Sequence, residues 1–220
     1  MRVLFIGNSH TYVNSMPFIF SNLSRVKSGE PVDTVMLASS GVSLGWHAEQ
    51  PETQANIRYG VWDYVILQQV AHPFAGRDAL FNEAGKLIQL IQKTRAKTVL
   101  FMPWASKKAP GAQSEIEQSF TDVAEKLGTL LAPVGSVWWN FLREHPEWEL
   151  FDSDQEHANP AGSYLAACVF HSLLLERTPE GLPESVTDAS GTLVSIPRNQ
   201  ARFIQEFAWK FCKHDNSDQP

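Results

Sequence analysis

The chain is short of several things, and each shortage narrows what it can be. It holds two cysteines in 220 residues, Cys168 and Cys212, far apart and without the close spacing of a metal knuckle. We therefore expect two reduced thiols in a reducing compartment rather than a disulfide framework. No apolar run reaches the ~18 residues of a membrane span. The first predicted strand starts at residue 2, which leaves no space for the charged and apolar regions of a secretory leader, so the expectation is a cytoplasmic protein with no membrane partner. Basic runs are absent and the net charge is −6, which argues against a nucleic-acid partner. Repeats and low-complexity segments are absent too. What remains, 43% hydrophobic and 19% charged residues, is the composition of a globular protein. The length suits one domain over residues 1–213 with a frayed tail at 214–220.

What is present is an alternation of two hydrophobic periods. Strands are expected at Arg2 to Ile6, Val32 to Ala38, Val61 to Leu67, Lys97 to Met102 and, after Pro133, Val134 to Trp138. Helical spacing runs from Met16 to Val26 with Asn14 or Ser15 as cap, from Asp78 to Thr94, and from Ala112 to Leu131. It returns from Pro160 to Glu176, capped by Asn159, and from Arg198 to Lys213. Residues 46–58 read as a short helix or loop, and residues 178–195 as a surface excursion. Strictly alternating strands and helices predict an α/β protein: three layers around a doubly wound, mostly parallel, five-stranded sheet.

The first strand breaks abruptly into Gly7-Asn8-Ser9-His10-Thr11. Open α/β sheets place ligands at the carboxyl ends of their strands, so Ser9 is a candidate nucleophile. A serine needs a base, and Asp154-Gln155-Glu156-His157, in a loop just before a helix, supplies a carboxylate able to orient an imidazole. Asp152 is a weaker candidate for the acid because of its spacing. A second serine competes. Gly41-Val42-Ser43-Leu44-Gly45 fits the nucleophile elbow of α/β-hydrolases, but it follows only the second strand and leads into a weakly patterned stretch. The opening turn also resembles a phosphate cradle, although it contains no Lys or Arg.

With Ser9, Asp154 and His157 in hand, the chain resembles the SGNH hydrolases, also called GDSL-type esterases, over residues 3 to about 175. Gly7-Asn8-Ser9 matches the first block, Gly41 stands where the second block has its oxyanion glycine, and Asp154 and His157 match the last. A bacterial branch with a Gly-Asn-Ser opening, a Leu-Gln pair ending strand three and an ending like His157-Ala-Asn-Pro-Ala-Gly-Ser-Tyr164 looks most similar. The third block departs from the family's Gly-x-Asn-Asp, because Gln68-Gln69-Val70-Ala71-His72-Pro73 contains no asparagine.

The resemblance implies a serine esterase that uses a Ser9-His157-Asp154 triad, an acyl-enzyme, and neither metal nor organic cofactor. Its oxyanion hole would combine the N–H groups of Ser9 and Gly41 with the Gln68 amide, with Gln69 and then His72 as the next choices. The substrate would be a small ester of a short acyl group such as acetyl. Seven tryptophans, among them Trp46, Trp62, Trp104 and the pair Trp138-Trp139 near strand ends, tilt that expectation mildly toward an acylated sugar, although core packing is the commoner role of each ring taken singly. His10 and Trp46 are the candidate substrate contacts. A hydrolase-like fold without activity, or a ligand-binding flavodoxin-like module, remains the alternative.

Overall fold

A computed structural model describes residues 1–29, 31–189 and 191–215. The chain runs β1 (Arg2–Gly7), α1 (Ser9–Tyr12), a 3-10 turn (Val13–Ser15), α2 (Met16–Ser28), β2 (Asp33–Ala38), α3 (Leu44–Glu49), α4 (Pro51–Tyr59) and β3 (Tyr64–Gln68). It continues with α5 (Arg77–Ile91), β4 (Lys97–Phe101), α6 (Ala112–Leu127), β5 (Leu130–Ala132), α7 (Val134–Glu144) and α8 (Pro160–Leu175). A hairpin of β6 (Ser185–Asp188) and β7 (Gly191–Ser195) precedes α9 (Arg198–Asp215).

The first five strands form one parallel sheet in the order β2-β1-β3-β4-β5. After β2 the chain crosses to the other flank of β1, so the winding direction reverses between β1 and β3. Such a switch point opens a crevice at the carboxyl ends of those two strands. The turn after Gly7 and the residues after Gln68 both lie there.

Period-two alternation sorts the sheet residues between two cores. Val3, Phe5, Ile66, Val99 and Phe101 join one, with α2, α7, α8 and α9; Leu4, Ile6, Val65, Leu67 and Leu100 join the other, with α3 to α6. Phe170 of α8 anchors the first core. It is fully buried, and its ring meets Phe5 at 5.3 Å, Phe101 at 5.1 Å and Phe20 at 6.1 Å between centroids, the first two edge-on.

Several boundaries differ from the sequence reading. The fifth strand is Leu130–Ala132, and Val134–Glu144 is a helix. Gly128, at φ +61°, closes α6 four residues earlier than the spacing predicts, three residues pair with Val99–Phe101, and Pro133 ends the strand. Val134, Val137, Trp138 and Phe141 are then buried at helical spacing, a pattern whose first five residues pass for a strand. Residues 46–58 fall within two helices separated by Gln50, where Pro51 starts the second. The excursion at 178–195 contains a hairpin whose Val186 and Val194 pack onto the first core. The last helix reaches Asp215, past Lys213, and residues 216–220 of the expected tail lie outside the described residues.

Replacing Phe170 by Ala is expected to lower the unfolding free energy by about 3–5 kcal/mol, read as a shift of the urea midpoint at constant slope.

Candidate active site

Asn8 closes β1 and caps α1, its Oδ1 accepting the His10 N–H at 3.1 Å and its Nδ2 donating to Val42 O at 3.1 Å. The second bond ties the turn to the loop that carries Gly41. Ser9 is the first helical residue and half-buried. Its N–H is among the first-turn donors that a helix cannot satisfy internally. Gly41 has φ +67° and open space where a Cβ would stand, so its backbone faces outward without a side chain over it.

Asp154 and His157 sit in a pinched loop closed by a bridge between Phe151 and Ala158. One carboxylate oxygen of Asp154 accepts the N–H groups of Glu156 at 2.8 Å and His157 at 2.9 Å, an Asx turn; the other meets His157 Nδ1 at 2.5 Å. Burial works to raise the Asp154 carboxyl, but the bonds from the His157 ring and the two N–H groups outweigh it. The group is held well below the ordinary carboxylate range. With Nδ1 engaged, Nε2 is the nitrogen free to take a proton from a hydroxyl.

Two ties hold this late loop, one from the first turn and one from the segment after β4. Asn14, at φ 54°, donates from Nδ2 to Ala158 O at 2.9 Å and to Ser163 Oγ at 3.0 Å. Trp104, stacked on Trp138 at 4.1 Å, donates its indole N–H to Glu156 O at 2.8 Å and accepts His72 Nε2–H on its own carbonyl at 3.1 Å. The rings of His10 and His157 stand 5.4 Å apart, so the imidazole lies beside the residue that follows Ser9.

The glutamines do not present themselves as donors. Gln68 is fully buried: its Oε1 accepts Asn8 N–H at 2.9 Å and Thr11 Oγ1–H at 3.0 Å, and its Nε2 donates to Gln69 O. Gln69 accepts the N–H groups of Leu44 and Val70 and donates to Glu83. The expectation that Gln68, or failing it Gln69, donates to an oxyanion is corrected. At a closed switch point the long amide reaches backward into the turn, because Asn8 N–H would otherwise be buried without an acceptor. His72 also spends its Nε2–H, on Trp104 O.

Ser43 is corrected likewise. It caps α3, its Oγ accepting Trp46 N–H at 3.3 Å. Asp152 accepts Ser153 N–H and so shapes its own turn. Of the tryptophans, Trp62, Trp104 and Trp138 are buried; Trp46 is 44% exposed. A wall of stacking rings is therefore not what this site offers.

Sequence reasoning assigns His47 no partner, yet it is buried and donates from Nε2 to Gly7 O at 2.7 Å, bracing the end of β1. The pattern Leu44, His47, Ala48 is the signal of its burial. Asn14 reads in the sequence only as a cap, and no local pattern announces a bond across 144 positions.

No protein-family model and no curated protein sequence matches the chain. Solved structures do. A DUF4886 family protein from Bacteroides uniformis aligns at TM-score 0.74 and 16% identity, over 98% of this chain and 96% of that one. A member of the lipolytic protein G-D-S-L family from Veillonella parvula aligns at 0.61 and 12%, over 80% of this chain and all of the other. The fold is that of the SGNH hydrolases. A lipase/acylhydrolase from Enterococcus faecalis shares it at TM-score 0.59 and 14% identity, over 80% and 97% of the two chains. In this SGNH fold the carboxyl ends of β1, β2 and β3 carry Ser9, Gly41 and the inward-turned Gln68. The sheet order excludes the long strand series that a nucleophile elbow at Ser43 presupposes.

Two consequences are measurable. Gln68→Leu is expected to lose about 1–3 kcal/mol of stability, since two buried donors lose their acceptor; an unchanged urea midpoint would contradict that bracing role. Burial lowers the pKa of His10, His47 and His72, and carries His171 of α8 down to about 4. Groups depressed in the folded state favour folding above their unfolded value, near 6.5. Urea midpoints are therefore expected to fall steadily from about pH 6.5 toward pH 4.

Proposed function

We propose that the protein is a serine esterase for short acyl esters, with Ser9 as nucleophile, His157 as general base and Asp154 as its orienter. The observation that carries this reading is the Asp154–His157 pair, doubly fixed by backbone N–H bonds and docked beside the turn that bears Ser9. The carboxylate holds the Nδ1–H tautomer, so Nε2 accepts the Ser9 hydroxyl proton as Oγ attacks the carbonyl. The ionised Asp154 then stabilises the imidazolium. The oxyanion meets the N–H groups of Ser9 and Gly41, and collapse expels the alcohol with the proton that His157 returns. Water, deprotonated by the same histidine, releases the acid.

This hole has two backbone donors and no amide, which suits reactive, unhindered esters such as acetates. The exposed ring of Trp46, on the helix that follows the Gly41 loop, offers one flat apolar surface for a sugar or other carrier of the acyl group. Solved structures of the same fold include a psychrotrophic esterase EstA from Pseudoalteromonas, inhibited by monoethylphosphonate, at 12% identity. That activity belongs to EstA, and the likeness supports the reading at the level of fold.

With a small acetate ester, Ser9→Ala and His157→Ala are expected to reduce kcat by about 10³-fold or more, and Asp154→Asn by about 10²- to 10⁴-fold. The reading is lost if purified wild type shows no ester hydrolysis, or if its rate survives Ser9→Ala.

A further inference from the structure

The elbow-like run Gly41-Val42-Ser43-Leu44-Gly45 ends in a glycine that the proposed reaction does not explain. A Cβ on Gly45 would stand 2.8 Å from Glu83 Cδ, so the glycine lets a carboxylate of α5 lie against the backbone of α3. There Glu83 Oε2 accepts two hydrogen bonds, from Gly45 N–H at 2.9 Å and from Gln69 Nε2 at 2.7 Å. Burial works to raise the Glu83 carboxyl, but the bonds from Gln69 and Gly45 outweigh it and hold the group below its ordinary range. An ionised carboxylate can only accept, so it admits the Gln69 amide in one sense, with the nitrogen toward Glu83 and the oxygen away. That oxygen then accepts the N–H groups of Leu44 and Val70, each at 3.0 Å. One half-buried side chain thus satisfies the first two N–H groups of α3, Gly45 directly and Leu44 through the glutamine.

These bonds bear on Gly41. The loop from Ser39 to Ser43 is tied to the Ser9 turn twice, by Ser39 N–H to Gly7 O at 3.3 Å and by Asn8 Nδ2 to Val42 O at 3.1 Å. Its far end is held at Leu44 and Gly45 by Gln69 and Glu83. Between these anchors stands Gly41, at φ +67° with open space where a Cβ would be. A glycine without packing has a wide choice of backbone angles, so the direction of its peptide is set by the anchors on either side. We propose that Glu83 is a positioning residue of the esterase: through Gly45 and the Gln69 amide it holds the start of α3, and with it the direction of the Gly41 N–H that meets the oxyanion. The proposal rests on the serine-esterase reading, in which Ser9 and Gly41 supply the two donors. Glu83 acts through the loop and not on the substrate.

The test compares para-nitrophenyl acetate with para-nitrophenyl thionoacetate, in which sulfur replaces the carbonyl oxygen. Sulfur accepts hydrogen bonds weakly, so the thionoester gains little from the oxyanion hole. The ratio of the two kcat values therefore reports the geometry of the hole, whatever fraction of the enzyme is folded. In Glu83→Ala that ratio is expected to fall by about tenfold or more, with KM for the acetate nearly unchanged. Gln69→Leu, which removes the relay and leaves Glu83 in place, is expected to lower it in the same way. Glu83→Gln, whose amide oxygen can accept both hydrogens, is expected to stay within about threefold of the wild type. Equal losses on both substrates in Glu83→Ala and Gln69→Leu, or no loss on either, overturn the proposal and leave the esterase reading standing. A wild type that hydrolyses no ester overturns the esterase reading instead. The hold of Glu83 on Gly41 is then decided by the amide proton resonance of Gly41 in NMR spectra. A resonance displaced in Glu83→Ala and restored in Glu83→Gln sustains it, and one unmoved in Glu83→Ala overturns it.

Discussion

The bond on which this site depends is the one between Gln68 Oε1 and the N–H of Asn8. β1 and β3 run parallel and end together, and where they end the chain must leave β1 at once for the short helix that begins with Ser9. An N–H at that bend is buried and points at the neighbouring strand, so an acceptor has to come from β3. Gln68 reaches it with one side chain and takes the Thr11 hydroxyl as well. From the opposite side His47 donates to Gly7 O. Gly7 itself leaves no choice: a Cβ there would stand 2.4 Å from Thr11 Oγ1 and 2.6 Å from Gln68 Oε1. The turn is clamped on both faces, and Ser9 is the first residue beyond the clamp. A residue expected to touch substrate instead determines where Ser9 stands.

A second constraint joins the two ends of the sequence. The loop of Asp154 and His157 shapes itself locally, through the Asx turn, but local shape does not place it. Placement comes from distant partners: Ser106 Oγ and the Lys107 N–H donate to Gln155 O, and Asn14 and Trp104 reach the backbone at Ala158 and Glu156. The stacked Trp104–Trp138 pair gives that contact a rigid, buried support. Tryptophan at this end of the sheet serves as framework, which is why its abundance in the sequence is a poor guide to the substrate.

Much of this is legible in the sequence because it rests on local chemistry. The alternation of periods gives the α/β fold, Pro160 after Asn159 gives the start of α8, and the break after Ile6 gives the turn. Asp154 and His157 are three residues apart, so their pairing is written in their spacing. What is not legible depends on a distant partner, on too short a run, or on a motif with two readings. The direction of a glutamine side chain at a strand end is decided by which donor lies across the switch point, not by the glutamine. The fifth strand is misplaced by a sequence reading because three residues are too few to show a period, while the first turns of α7, rich in valine and tryptophan, resemble a strand. Ser43 matches an elbow motif in sequence, yet it sits where a helix cap is required. Only for the glutamine does the deciding partner lie far along the chain; the strand is too short to show its period, and the elbow motif and the helix cap share the same local residues.

The central claim is that Ser9 is activated by His157. Peptide mass spectrometry after reaction with a fluorophosphonate tests it most directly. A single phosphonyl adduct on Ser9 is predicted, formed in the wild type and suppressed in His157→Ala. An adduct on Ser43, or labelling of Ser9 that is indifferent to His157, would contradict it.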